Sequence, residues 1–169
     1  KNNQGTLPSD CVTTYCDPSL VRLLEPRQIS LDRQLLAAVH TKNHMEAQNL
    51  LAQNANPNIR DQLNNRGPLN RSIINNDQKM VELLIKNKAN VNTGDDYQPL
   101  YLAAISGYDG IVKVLIKNKA NIAHQNKNGR TASEVAVMNN HNHIAFILQQ
   151  RLYGQNKLLL PYLKQNILE

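Results

Sequence analysis

Three short clusters in this sequence carry residue types that can do chemistry. His141-x-His143 sets two imidazoles close together, the side chains that bind zinc or move protons near neutral pH. Asp95-Asp96 sets two carboxylates together, a pairing suited to general acid–base work. Cys11 and Cys16 are spaced for a small disulfide loop in an oxidising compartment, or are two reduced thiols near a helix start.

None of the three builds a catalytic or metal centre. No Cys or carboxylate follows the His pair at ligand spacing, and two residues apart on a helix the rings diverge. Asp95-Asp96 follows Gly94 in a polar turn, where Asp is a usual turn residue. From the tip of that turn Asp95, Asp96 and Tyr97 could contact a partner. The sequence has no nucleophile elbow, phosphate-binding loop, dinucleotide fingerprint or H-E-x-x-H pair. We therefore expect no enzyme activity, no cofactor and no metal.

The elements that carry these residues follow from composition and period. A length of 169 residues supplies one core without disulfides or metal. Hydrophobic residues make up 41% of the chain, but there is one Phe and no Trp, so the core must be aliphatic. The 24 Asn and 13 Gln are interleaved with regular apolar positions and read as surface and turn residues. The net charge of +6 eases contact with acidic partners, yet no run of five Lys/Arg marks a nucleic-acid patch. No stretch is apolar for long enough to span a membrane.

The chain repeats itself. Residues 83–90 read LLIKNKAN and residues 114–121 read VLIKNKAN, an offset of 31 residues shared by Pro68-Leu69 and Pro99-Leu100. A weaker copy closes at Ala55-Asn56-Pro57-Asn58, and a fourth opens at Gly129-Arg130-Thr131-Ala132. Each unit starts a short helix at Pro or Thr-Ala, where a missing amide donor costs nothing. That helix carries small residues (Ala37-Ala38, Ser72, Ala103-Ala104, Ala136) that let neighbouring units approach. A polar break follows, then a helix with Val, Ile and Leu at three- and four-residue spacing, ending in Lys-rich sequence. A unit this small cannot bury its apolar face alone, so the units must stack into a solenoid.

These residues resemble the ankyrin repeat family. The third copy is nearest the family pattern: Gln98-Pro99-Leu100-Tyr101-Leu102-Ala103-Ala104, Gly107, Ile111-Val112-Lys113-Val114-Leu115-Ile116 and Ala120-Asn121-Ile122. The resemblance covers about residues 31–150. It implies an all-α solenoid of about four helix-turn-helix units, 31–61, 62–92, 93–123 and 124–150. Non-repeat segments 1–30 and 151–169 would cap it. The family has Gly where this chain has Asn54, Lys88 and Lys119, and again where it has Lys42, Asn76 and Asn140. Left-handed helix ends are costly there, so less regular ends are expected. His141 falls at the turn between helices, where the family often has His, and a structural use is expected.

The resemblance also implies a non-catalytic module that binds a protein segment on its concave surface. In register, the inward positions are Ala37 and His40, Arg71 and Ile74, Leu102 and Ile105, and Val135 and Met138. Ile74, Ile105 and Met138 then form an apolar ladder, either exposed to a partner or partly buried under the adjacent turn. The turn tips add Arg60, Asp61, Asn64, Asn65, His124, Asn126 and Lys127 to Asp95, Asp96 and Tyr97. Charge at Leu102 and Ile105 is expected to spare folding. Two other roles stay open: self-association through the tails, and service as an accessory domain of a secreted bacterial effector. A monomer is expected. The Cys pair and the non-Met start favour export, to a periplasm or beyond, over the cytoplasm.

Overall fold

A computed structural model describes residues 30–61, 66–94 and 98–153. Within them the chain forms eight helices and no strand. They are α1 (30–40), α2 (His44–Ala52), α3 (Pro68–Ile74), α4 (Gln78–Lys86), α5 (Pro99–Ile105), α6 (Asp109–Lys117), α7 (Ala132–Met138) and α8 (Asn142–Tyr153). The last helix therefore runs past residue 150, the expected end of the repeats.

Local chemistry explains where five of the helices start. Pro68 and Pro99 occupy the first turns of α3 and α5, where their fixed φ fits and no amide bond is lost. Thr131 caps α7 instead: its hydroxyl accepts the Glu134 N–H, and the Glu134 carboxylate accepts the Thr131 N–H at 2.7 Å. Asn43 and Asp77 cap α2 and α4 in the same way, through side-chain oxygens.

The helix ends share one device, and the expectation of irregular ends is overturned. Lys42, Asn54, Asn76, Lys88, Lys119 and Asn140 all adopt left-handed φ, from 51° to 69°, and Gly107 lies at 75°. At each, the next amide reaches back five residues: Asn43 to Ala38, Ala55 to Leu50, Asp77 to Ser72, Ala89 to Leu84, Tyr108 to Ala103, Ala120 to Leu115 and His141 to Ala136. These are Schellman closures, with the second bond of the motif also present, as from Lys88 to Ile85 at 3.0 Å. Backbone pairing prevails over side-chain preference. The strain at each non-Gly site is about 1–2 kcal/mol, comparable to one net hydrogen bond, and two such bonds offset it.

The hairpins stack in two layers. First helices pack in the row α3–α5–α7, and second helices in the row α2–α4–α6. Within hairpins, α3 meets α4, α5 meets α6 and α7 meets α8. The equivalent residues Ala38, Ser72, Ala103 and Ala136 are all buried, so a small side chain sits wherever a first helix meets its neighbours. The second helices bury Leu50, Leu84, Leu115 and Leu148 at one register position, each at most 1% exposed. These leucines belong to one continuous cluster through all four units, which is how hairpins too small to fold alone become stable.

Candidate partner-binding surface

The Schellman closures fix the register between units. Each pairs the residue five places back, so Ala38, Ser72, Ala103 and Ala136 are equivalent. One residue earlier lies the row Ala37, Arg71, Leu102, Val135. Two residues later lies the row His40, Ile74, Ile105, Met138.

The two rows have different fates. Leu102 is 8% exposed and Val135 2%, so both belong to the core. This corrects their assignment to a free inner surface. First helices pack side by side, and in the third and fourth units the residue adjoining the small contact position is covered, whereas Ala37, its equivalent in the first unit, is exposed. Arg71 is half-buried and its Nη2 lies 3.4 Å from Asp61, tying that residue to α3. The second row stays open. His40 is exposed, Ile74 is 39% exposed, Ile105 is intermediate and Met138 is 58% exposed. Val137 beside it is 42% exposed.

The turn tips divide likewise. Asp61 donates its N–H to Arg66 O, and Asn126 donates to Arg130 O, where it closes a turn. The Asn126 side chain accepts the Asn128 and Arg130 N–H groups at 3.0 Å and donates to the Tyr101 hydroxyl at 2.9 Å. It is a structural residue rather than a partner contact. Arg60, Lys127 and His124 keep partial or full exposure. Asn64, Asn65, Asp95, Asp96 and Tyr97 lie outside the described residues, as do Cys11, Cys16 and the two terminal segments.

Three of the five histidines have neighbours within the fold. The His141 ring lies over Gly107, where a Cβ would come within 2.5 Å of it. His143 Nε2 is 4.0 Å from Asp109, and His44 Nε2 is 2.9 Å from the Asp77 carboxylate that caps α4. Among the described residues no group of three His, Cys, Asp or Glu comes together to hold a metal ion. No helix among them is long and apolar enough to cross a membrane.

A feature that spacing alone did not expose is an amide clamp between units. Asn58 Oδ1 accepts the Asn90 N–H at 2.7 Å, and its Nδ2 donates to Lys88 O at 3.1 Å. Asn92 repeats this on Asn121 and Lys119, at 2.8 and 3.3 Å. Asp32 takes the corresponding part toward Asn56 at 2.6 Å. The recurring Asn three residues after a closing Ala was the available signal.

A family model described as ankyrin repeats (3 copies) matches residues 35–126, more than half of the chain. A search of curated proteins found no match.

Proposed function

The chain belongs to the ankyrin-repeat family, whose members are generally protein–protein interaction modules, and from that premise we propose that it is a non-catalytic scaffold binding a protein segment along its first helices. One observation carries the reading. Ile74, Ile105 and Met138 occupy the same position in three successive units, and Ile74 and Met138 are 39% and 58% exposed although stacking does not need them. A regular row of solvent-facing apolar side chains is a property of binding surfaces.

The geometry favours a particular kind of segment. Packed helices lie about 8–10 Å apart, so the row has roughly that pitch. Apolar side chains seven residues apart on an α-helix are about 10.5 Å apart, and those three apart on a polyproline II segment about 9 Å, in both cases on one side of the segment. Either can place one apolar group per unit. The scaffold is already ordered, so its own residues add little ordering cost on binding.

The test is affinity capture with wild-type protein and with I74K/M138K, followed by mass spectrometry and a titration of the captured partner. Binding should fall by about tenfold or more while the circular dichroism spectrum stays unchanged. Undiminished binding by a folded I74K/M138K variant would remove the row from the site.

A further inference from the structure

A second surface lies at the opposite end of the hairpins. Ile74 ends a first helix, beside the turn to α4, whereas the C-terminus of α4 lies at the far end of that helix. There α4 and α6 finish in the same sequence, and Lys86 and Lys88 in one unit are equivalent to Lys117 and Lys119 in the next. All four are exposed. Among the described residues none forms an ion pair. The acids on these two helices are Glu82, which accepts a bond from Gln78 at 2.8 Å, and Asp109, at the other end of α6.

Two more observations converge here. Lys88 and Lys119 hold left-handed φ of 69° and 65°, positions that Gly fills without strain. Two of the four charges thus stand at a conformational cost. Beside them, an open groove of about 420 Å³ runs between the ends of α2 and α4. Leu51, Ala55 and Pro57 contribute its apolar part, and Lys86 and Lys88 stand on its lining.

We propose that this lysine-bearing end of α4 and α6, with the adjoining groove, docks an acidic protein segment that carries an apolar side chain. Helix spacing sets the Lys86–Lys117 and Lys88–Lys119 pairs roughly 10 Å apart, close to the about 9 Å between carboxylates three residues apart on one side of a polyproline II segment. A protein partner fits better than the other polyanions. The large exposed apolar residues of the described chain (Met45, Ile74, Val137, Met138, Leu152, Tyr153) all lie on other elements or at other positions, so no anchor for a lipid surface adjoins these lysines. Neither 78–92 nor 109–123 contains an aromatic residue for base stacking, and the four cations are Lys rather than Arg.

The experiment is a fluorescence-anisotropy titration of the full chain with a labelled oligoglutamate peptide containing one leucine. Binding should weaken as salt screens it. K86E/K117E should lose about tenfold in affinity or more, and R33E/K79E, with the same change in net charge, should lose little. K88G/K119G should bind several-fold more weakly while its Tm rises by about 4–8 °C, which separates lost charge from lost folding. If K86E/K117E unfolds, K86Q/K117Q carries the comparison. Three outcomes overturn the proposal: no peptide binding, equal loss in R33E/K79E, or tighter binding to a single-stranded oligonucleotide or to vesicles of equal phosphatidylserine and phosphatidylcholine.

Discussion

The side-chain amide of Asn58 grips the backbone beside Asn90, one unit further along the stack. Its oxygen accepts the Asn90 N–H at 2.7 Å while its nitrogen donates to Lys88 O at 3.1 Å. The second bond occupies a carbonyl at the left-handed end of α4, and the first fixes the start of the next turn. Asn56, two residues earlier, accepts the Asn58 N–H at 2.9 Å and holds the clamp in place. The clamp recurs at Asn92 and ends in the third unit, where Ala123 stands at the equivalent position.

Removing a clamp should loosen one junction. N58A and N92A are each expected to cost about 1 kcal/mol, the net worth of such hydrogen bonds where the freed groups can reach water. Urea denaturation monitored by circular dichroism measures this. The two junctions are separate, so the double variant should lose close to the sum. A change near zero in both would mean that apolar stacking alone sets the junctions.

The left-handed lysines make the opposite prediction. K88G and K119G should each stabilise the fold by about 1 kcal/mol, because Gly adopts φ near 65–69° without the Cβ contact. Lys86→Gly is the control. It lies in the last turn of α4 with helical geometry, so Gly there should destabilise by up to about 1 kcal/mol. Opposite signs at residues two apart would establish that backbone conformation, and not charge, decides the effect.

The cap of α7 should respond to pH. The Glu134 carboxyl is held below its ordinary 4.5 by the backbone N–H of Thr131, then by the Thr131 hydroxyl, with Arg130 adding to the effect and slight burial opposing it. A lowered folded value means that the carboxylate stabilises the fold fully above about 4.5 and that this is lost as pH falls through the depressed value. T131A and E134Q should each be less stable than wild type at neutral pH, by about 0.5–1 kcal/mol, with the difference shrinking in acid. Thermal melts from pH 7 down to 3 would show it. A difference independent of pH would remove the carboxylate from the cap.

Leu102 and Met138 separate core from surface. Leu102 is 8% exposed and Met138 58%. L102A should cost about 2–4 kcal/mol, and L102D should abolish cooperative unfolding. M138K should stay within about 0.5 kcal/mol of wild type. Equal tolerance at both sites would show that the assigned burial is wrong.

Much of the architecture was legible along the chain. The offset of LLIKNKAN to VLIKNKAN located the second helices, and Pro68 and Pro99 located the first. Both signals are local, because Pro at a helix start and apolar residues at helical spacing act within a few residues. The candidate surface was legible only in part. The register of Ile74, Ile105 and Met138 could be counted, but the burial of Leu102 and Val135 could not. Equivalent positions on a repeat look alike in sequence, whereas burial depends on how closely the next unit approaches. The role of Asn126 was hidden for the same reason, since its bond to Tyr101 crosses 25 residues.

The amino-acid order thus determined the number of helices described, their pairing into hairpins and the need to stack, because a hairpin of this length leaves its apolar stripe in water unless another covers it. Only the packed structure decided which flanks of the stripe stay exposed and how the non-Gly helix ends close. Backbone hydrogen bonds between Lys88 and Ile85 and between Ala89 and Leu84 impose a conformation that the lysine by itself disfavours. Side-chain preference acts one residue at a time. Closure and burial are shared among units, and their summed free energy prevails.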